Sequence, residues 1–228
     1  MIKTFEQFNN KQDIDSICEE YNITNYTIRD DGKVDVNGYV YINNMGLEEL
    51  PLYFGKINGN FSCQNNYLTT LKGSPEEVNG NFNCFLNKLT SLEGGPKIVK
   101  GGFWCYRNNL TTLKGAPEEV SARFNCCKNK LTSLDYLPNK YSLLVANDNN
   151  LVDVKELIKH YKTDTHIPNN PIYNLLNGIH RVNLDHFYLI NPLNGFELSK
   201  SLYDEIREDL ELEPFDYSEL HPSIKLVD

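Results

Sequence analysis

Two stretches of the chain, Phe61-Ser-Cys-Gln-Asn-Asn-Tyr-Leu-Thr-Thr-Leu-Lys-Gly-Ser-Pro75 and Phe82-Asn-Cys-Phe-Leu-Asn-Lys-Leu-Thr-Ser-Leu-Glu-Gly-Gly-Pro96, are copies of one phrase. It returns from Phe103 to Pro117 and from Phe124 to Pro138, each time 21 residues further on. Phe61, Phe82, Phe103 and Phe124 hold the first position, and Cys63, Cys84, Cys105 and Cys126 the third. Asn66, Asn87, Asn108 and Asn129 hold the sixth, followed by two leucine columns that begin at Leu68 and Leu71. So many positions in one phase mark a repeat architecture, in which each unit buries its apolar face only by stacking on its neighbours.

The phase runs outward in both directions. Upstream, Val40, Ile42, Leu47 and Leu50 occupy the Phe, Cys and two Leu positions, with Met45 in place of Asn. Downstream, Leu144, Ala146, Asn149 and Leu151 continue it after a one-residue deletion. About six rungs result, above the minimum of about three that a solenoid needs. Within a rung, Phe-x-Cys reads as a short strand whose alternate side chains enter the core. The Asn side chain reads as a partner for backbone groups of the turn that leaves the strand, repeated as an asparagine ladder. The leucines fill the core from the far side, and Pro and Gly set the turn to the next strand.

These units resemble the leucine-rich repeat L-x-L-x-x-N-x-L. Among its classes they are most similar to the short bacterial one with an L-T-x-L-P-x-L-P turn, which Leu131-Thr-Ser-Leu-Asp-Tyr-Leu-Pro138 approaches best. The other turns depart from it, with Gly or a small residue at the second Leu, as in Leu92-Glu-Gly-Gly-Pro96. Some bacterial relatives carry a ubiquitin-ligase domain with a catalytic cysteine after the repeats. Here the last cysteine, Cys127, lies inside them, so that activity does not carry over. A narrower resemblance is to uncharacterised repeat proteins of large tailed phages, with V-x-G-x-F-x-C-x-x-N-x-L-T-S-L units behind an amphipathic helix. It implies a host-interaction role without a mechanism.

The ends of a solenoid need covers. Residues 4 to 20 read as an amphipathic helix burying Phe5, Phe8, Ile14, Ile17 and Cys18. Tyr26 to Val36 reads as a hairpin turning at Asp31-Gly32. At the other end, Asp153 to Tyr161 reads as helix and Thr163 to Pro171 as a polar loop. Ser199 caps a helix through about Leu212, with Leu202, Ile206 and Leu210 on one face and Asp204, Glu205, Glu208 and Asp209 on the other. The expected fold is an α/β solenoid with a parallel concave sheet. Residues 1–35 form a helical amino cap, 36–152 the repeats and 153–228 an α-rich carboxyl module.

The formal net charge is −9, which disfavours nucleic acid and anionic membranes as general partners. No apolar run approaches the roughly 18 residues of a membrane helix. The start, from Met1 to Asn10, does not read as a secretory signal, so the expected location is the cytoplasm, with six reduced cysteines. The four cysteines of the repeat column stand in a row, not around a point, and read as core rather than as a metal site. Cys127 is expected to face outward, without a histidine in the repeats to activate it. His160, His166, His180, His186 and His221 show no metal-ligand spacing. No enzyme activity, cofactor or metal is expected.

Outward positions of the strands therefore carry the functional expectation. Tyr39, Tyr41, Phe85, Trp104 and Tyr106, with Arg107, Arg123 and Lys128 beside them, form an aromatic and basic patch. Aromatic side chains and arginine dominate binding hot spots, because they desolvate large areas with few rotatable bonds. The expected function is protein–protein interaction through the concave repeat face, in the setting of a phage factor that acts on a host protein or counters a host defence. The alternative is a single-strand nucleic-acid or nucleotide binder that stacks bases on Phe85, Trp104 and Tyr106. A purely structural reading has Trp104 packing on Phe85 and Tyr106 as a cross-strand ladder.

Overall fold

The computed structural model describes residues 11–152, 165–166, 170, 193–194, 197–209, 216–219 and 224–227. The chain begins with α1 (Lys11–Glu20), β1 (Tyr26–Ile28), β2 (Val34–Val36) and β3 (Val40–Tyr41). Then come β4 (Phe54–Ile57), β5 (Phe61–Ser62), β6 (Glu77–Val78), β7 (Phe82–Asn83), β8 (Ile98–Val99) and β9 (Phe103–Trp104). The series continues through β10 (Glu119–Val120), β11 (Arg123–Asn125), β12 (Leu143–Val145) and β13 (Thr165–His166). Beyond it lie β14 (Leu193–Asn194), β15 (Glu197–Ser199), α2 (Lys200–Asp209) and β16 (Lys225–Val227).

Each turn supplies two short strands, and the strands form two sheets. The Phe sheet has the order β13-β12-β11-β9-β7-β5-β3 and is parallel throughout. Its register sets Phe61, Phe82, Phe103 and Phe124 side by side. The Val sheet has the order β1-β2-β4-β6-β8-β10, parallel except for the β1–β2 hairpin. Five turns, from β2 with β3 to β10 with β11, place one strand in each sheet. A sixth adds β12 on one side and only an isolated bridge, Lys140 to Glu119, on the other. The architecture is a parallel-sheet β-solenoid of about five turns.

The core lies between the sheets. Phe61, Phe82, Phe103 and Phe124 stack with ring centroids 5.1 to 5.4 Å apart and planes within 12°. Cys63, Cys84, Cys105 and Cys126 are fully buried beside them, and Val36, Ile57, Val78, Val99 and Val120 close the core from the other sheet. At the exit of the Phe sheet the asparagine ladder ties each turn to the one before. Asn108 Nδ2 donates to the carbonyls of Cys84 and Cys105 at 3.0 and 3.1 Å, while its Oδ1 accepts from Leu89 N at 3.1 Å. Asn66, Asn87, Asn129 and Asn149 repeat the pattern. Buried carbonyls that short strands leave open are satisfied in this way.

Several expectations change. The α/β character is not seen: residues 21–152 contain strands and turns, with no helix. The Val sheet was not expected, because β6, β8 and β10 each bury a single residue, whereas each Phe strand is followed by a second inward residue, Cys, that shows the period of two. The hairpin forms as read, turning through Gly32 at φ +76°. Helix α1 spans Lys11–Glu20 and buries Ile14 and Cys18; residues 4–10 lie outside the described residues. The segment read as a polar loop instead holds a seventh strand of the Phe sheet, β13, with Leu144 opposite Thr165. Asn170 then extends the ladder, accepting from Asn149 N at 3.1 Å and donating to Ala146 O at 3.0 Å. The expected helix over 153–161 lies outside the described residues. Beyond residue 192, the described residues hold a three-stranded sheet, β14-β15-β16, besides α2, so α-rich is not the description they support. On α2, Tyr203 and Arg207 are buried and Asp204 and Glu208 exposed.

Candidate functional site: the outer face of the Phe sheet

Side chains that alternate with the buried Phe and Cys emerge on the outer face of the Phe sheet. Tyr39 and Tyr41 are 62% and 53% exposed, with their rings stacked 5.9 Å apart. Phe85 and Tyr106, half-buried on adjacent turns, stack at 4.3 Å and 11°. The two pairs do not form one cluster. Strand β5 lies between β3 and β7, which puts about 10 Å between the two strands.

Trp104 is placed differently from the ladder reading. Its indole lies over Gly102, where a Cβ would sit 2.5 Å from the ring. Gly102 thus makes a notch that holds the only tryptophan of the chain flat against the sheet. Arg123 stands on the neighbouring strand opposite this notch, by the register that pairs Phe124 with Phe103.

Arg107, Arg123 and Lys128 are exposed, and none makes an ion pair among the described residues. Arg107 and Lys128 occupy the turn that follows each Phe strand. At that turn Asn44, Asn65, Leu86, Arg107, Lys128 and Asp148 all have φ between +52° and +59°. Asn accepts this left-handed backbone readily, and Leu, Arg and Lys do so at a cost. The sheet geometry imposes the turn whatever the residue. Burial raises the Tyr106 phenol pKa above its ordinary value, as does Cys127, while Arg107 opposes the shift.

Four amides on this face have a fixed orientation. Asn43, Asn60, Asn81 and Asn125 each accept a backbone N–H on Oδ1, from Gln64, Asn81, Gly102 and Cys127 at 2.8 to 3.1 Å. Their Nδ2 groups make no hydrogen bond among the described residues and are not buried. The outward strand positions between Tyr39 and Asn147 carry no Asp or Glu; the first carboxylate at the rim is Asp148, which accepts from Asn147.

Cys127 does not face solvent as expected: it is 9% exposed, and burial raises its thiol pKa above the ordinary value. It lies between the larger side chains of Tyr106 and Asn147 in the same column. Ser62, the other small residue at an outward position, is 2% exposed for the same reason. All six cysteines are free and buried, and burial pushes the Cys63 thiol up to about 12. Thiols held protonated are poor nucleophiles and metal ligands.

Sequence reasoning placed the aromatic and basic residues on one face. It missed the outward-donor orientation of Asn43, Asn60, Asn81 and Asn125 and the Gly102 notch. A glycine two residues before the only tryptophan was the available signal for the notch. Among the described residues, no group of three or more His, Cys, Asp or Glu is placed to hold a metal ion, and no helix is long and apolar enough to cross a membrane. Comparison with protein-family models, with curated proteins and with solved structures finds no match to this chain.

Proposed function

We propose that this chain is a binding protein of the leucine-rich-repeat kind that takes a protein partner on the outer face of its Phe sheet. The observation that carries the reading is half-buried aromatic surface on one face, the Phe85–Tyr106 stack and the Trp104 indole over Gly102, with three cations that make no ion pair among the described residues. Rigid aromatic surface with arginine at its edge is the composition of interface hot spots. The asparagine ladder supports the leucine-rich-repeat assignment. Ile14 and Cys18 of α1 belong to the same apolar cluster as the repeats, which supports an amino-cap role for that helix. Free, buried thiols fit a reducing cytoplasm. In the setting that the phage resemblance implies, the partner is a host protein.

The test is partner capture from host lysate by the full chain and by Trp104→Ala with Tyr106→Ala. Loss of capture at an unchanged melting temperature is the expected result. Intact capture moves the site off the Phe sheet, and a large drop in melting temperature makes the rings structural. A single-strand nucleic-acid binder remains the second reading, because the Phe85–Tyr106 stack with Arg107 at its edge also suits a base and a phosphate. The net charge of −9 weighs against it.

A further inference from the structure

We infer that the partner segment taken by the Phe sheet is acidic and carries an apolar side chain among its carboxylates. The inference rests on the binding reading above and specifies its chemistry. An Asn side chain ordinarily offers both a donor and an acceptor. On this face the acceptor oxygens of Asn43, Asn81 and Asn125 are held by backbone N–H groups, so only their N–H bonds point out. Arg107, Arg123 and Lys128 add further donors, each with a full positive charge and without an ion pair among the described residues. The outward strand positions between Tyr39 and Asn147 hold no carboxylate, in a chain whose net charge is −9. A surface that offers donors and no charged acceptor is complemented by carboxylates.

Of the aromatic groups on this face, the Phe85–Tyr106 stack is the one at the cationic turns. The Phe85–Tyr106 stack lies next to Arg107, and Lys128 occupies the equivalent position one turn on, about 4.8 Å away. A short segment with one aromatic or aliphatic anchor and flanking carboxylates matches that arrangement. The cations are confined to β11, which carries Arg123, and to the turns after β9 and β11, which carry Arg107 and Lys128; none stands at an outward position of β3, β5 or β7. A polynucleotide needs positive charge along its whole path, so a protein segment is the better match.

The experiment uses the full chain and the emission of Trp104, its only tryptophan, as the reporter. The probes are a short peptide of glutamates flanking one phenylalanine, its lysine analogue, and oligothymidylate of the same total charge as the glutamate peptide. The glutamate peptide is expected to give a saturable change that weakens with added salt, and the lysine analogue none. Arg107→Asn with Lys128→Asn removes two cations and installs the residue that Asn44 and Asn65 already supply at the same left-handed turn. That variant is expected to bind the glutamate peptide about tenfold more weakly without a lower melting temperature. No binding of the glutamate peptide, equal binding of the lysine analogue, or full affinity in the Asn variant overturns the inference. Tighter binding of oligothymidylate also overturns it and makes the face a nucleic-acid site. If partner capture is lost with the Trp104 and Tyr106 substitutions but kept by the Asn variant, the acidic chemistry fails and the binding face stands. If neither variant affects capture, the binding reading itself fails.

Discussion

The two sheets are made by the same repeats, yet their outer faces differ in kind. The Val sheet carries charges of both signs, and some of them are paired across turns. Glu77 lies 3.2 Å from Lys56 and 2.9 Å from Lys100, and Glu76 lies 2.6 Å from Lys33 and 3.0 Å from Arg29. These pairs tie together turns one or two steps apart, while Lys97, Glu118 and Glu119 further along the same face make no ion pair among the described residues. The outward strand positions of the Phe sheet between Tyr39 and Asn147 hold no carboxylate, and Arg107, Arg123, Lys128 and the Nδ2 groups of Asn43, Asn81 and Asn125 have no side-chain partner among the described residues. The difference teaches that a solenoid can use one face to hold neighbouring turns together and keep the other for recognition, with a common core between them.

The largest expected contrast between the faces is in binding. Trp104→Ala with Tyr106→Ala on the Phe sheet is expected to weaken a captured partner by roughly a thousandfold, at about 2 kcal/mol for each lost anchor. Glu77→Gln with Glu119→Gln on the Val sheet is expected to leave the same affinity unchanged, as read by titration calorimetry. Equal losses from both would erase the distinction drawn here.

A second contrast concerns the turns that leave each sheet. Asn108 leaves the Phe sheet and makes three side-chain hydrogen bonds, so Asn108→Ala strands buried backbone groups and costs about 1–3 kcal/mol. Asn79 leaves the Val sheet; it donates to Asn58 at 2.9 Å, while its own Oδ1 is buried without a partner. Removing that orphaned oxygen offsets the lost bond, so Asn79→Ala is expected to cost under about 1 kcal/mol. Asn109 is half-buried and makes no side-chain hydrogen bond among the described residues, so Asn109→Ala is expected to stay within about 0.5 kcal/mol. Urea unfolding of the three variants ranks them, and a cost for Asn79 as high as for Asn108 would mean that both exits bear load equally.

Relief of backbone strain comes next. Leu86 holds a left-handed turn at φ +54°, where the first two turns have Asn44 and Asn65. Leu86→Asn is expected to stabilise the fold by about 1 kcal/mol. Tyr136 has φ +68° where preceding turns have Gly73, Gly94 and Gly115, so Tyr136→Gly is expected to act in the same direction. A fall in the urea midpoint for Leu86→Asn would show that its exposed side chain contributes more packing than the turn costs.

The smallest effect belongs to the Val-sheet ion pairs. The Lys100 ammonium, against the opposing effect of burial and with help from Lys56, holds the Glu77 carboxyl below its ordinary pKa of 4.5. Lys33, followed by Arg29, does the same for Glu76. A carboxylate with a depressed folded pKa stabilises the fold above its unfolded pKa, and that stability is lost as the pH falls through the folded value. Stability contributed by these pairs is therefore expected to be complete above about pH 4.5 and to fade in more acidic solution. Glu77→Gln should cost about 0.5 kcal/mol or less at neutral pH, because the partners are partly exposed, and should make the acid dependence shallower. A steeper acid dependence in that variant would reverse the assignment.

Much of this fold is legible in the sequence. The 21-residue spacing of Phe61, Phe82, Phe103 and Phe124 gives the solenoid and its register, because identical side chains stack only when the turns are equal in length. Alternation within Phe-x-Cys gives the direction of Trp104 and Tyr106, and Asn at the sixth position gives the ladder. Four matters were decided by tertiary structure alone. The valines form a second sheet, although β6, β8 and β10 each bury one residue and so carry no period of their own. Thr165 and Asn170 continue the Phe sheet and its ladder, although the strand has lost its phenylalanine and cysteine and keeps only the spacing from Asn149. Alternation says which way Cys127 and Ser62 point, but their larger neighbours on adjacent turns decide that both are covered. The backbone N–H groups that hold Asn43 and Asn81 come from the next turn of the solenoid, 21 residues on, and that capture of the amide oxygens turns the N–H bonds of these two side chains outward.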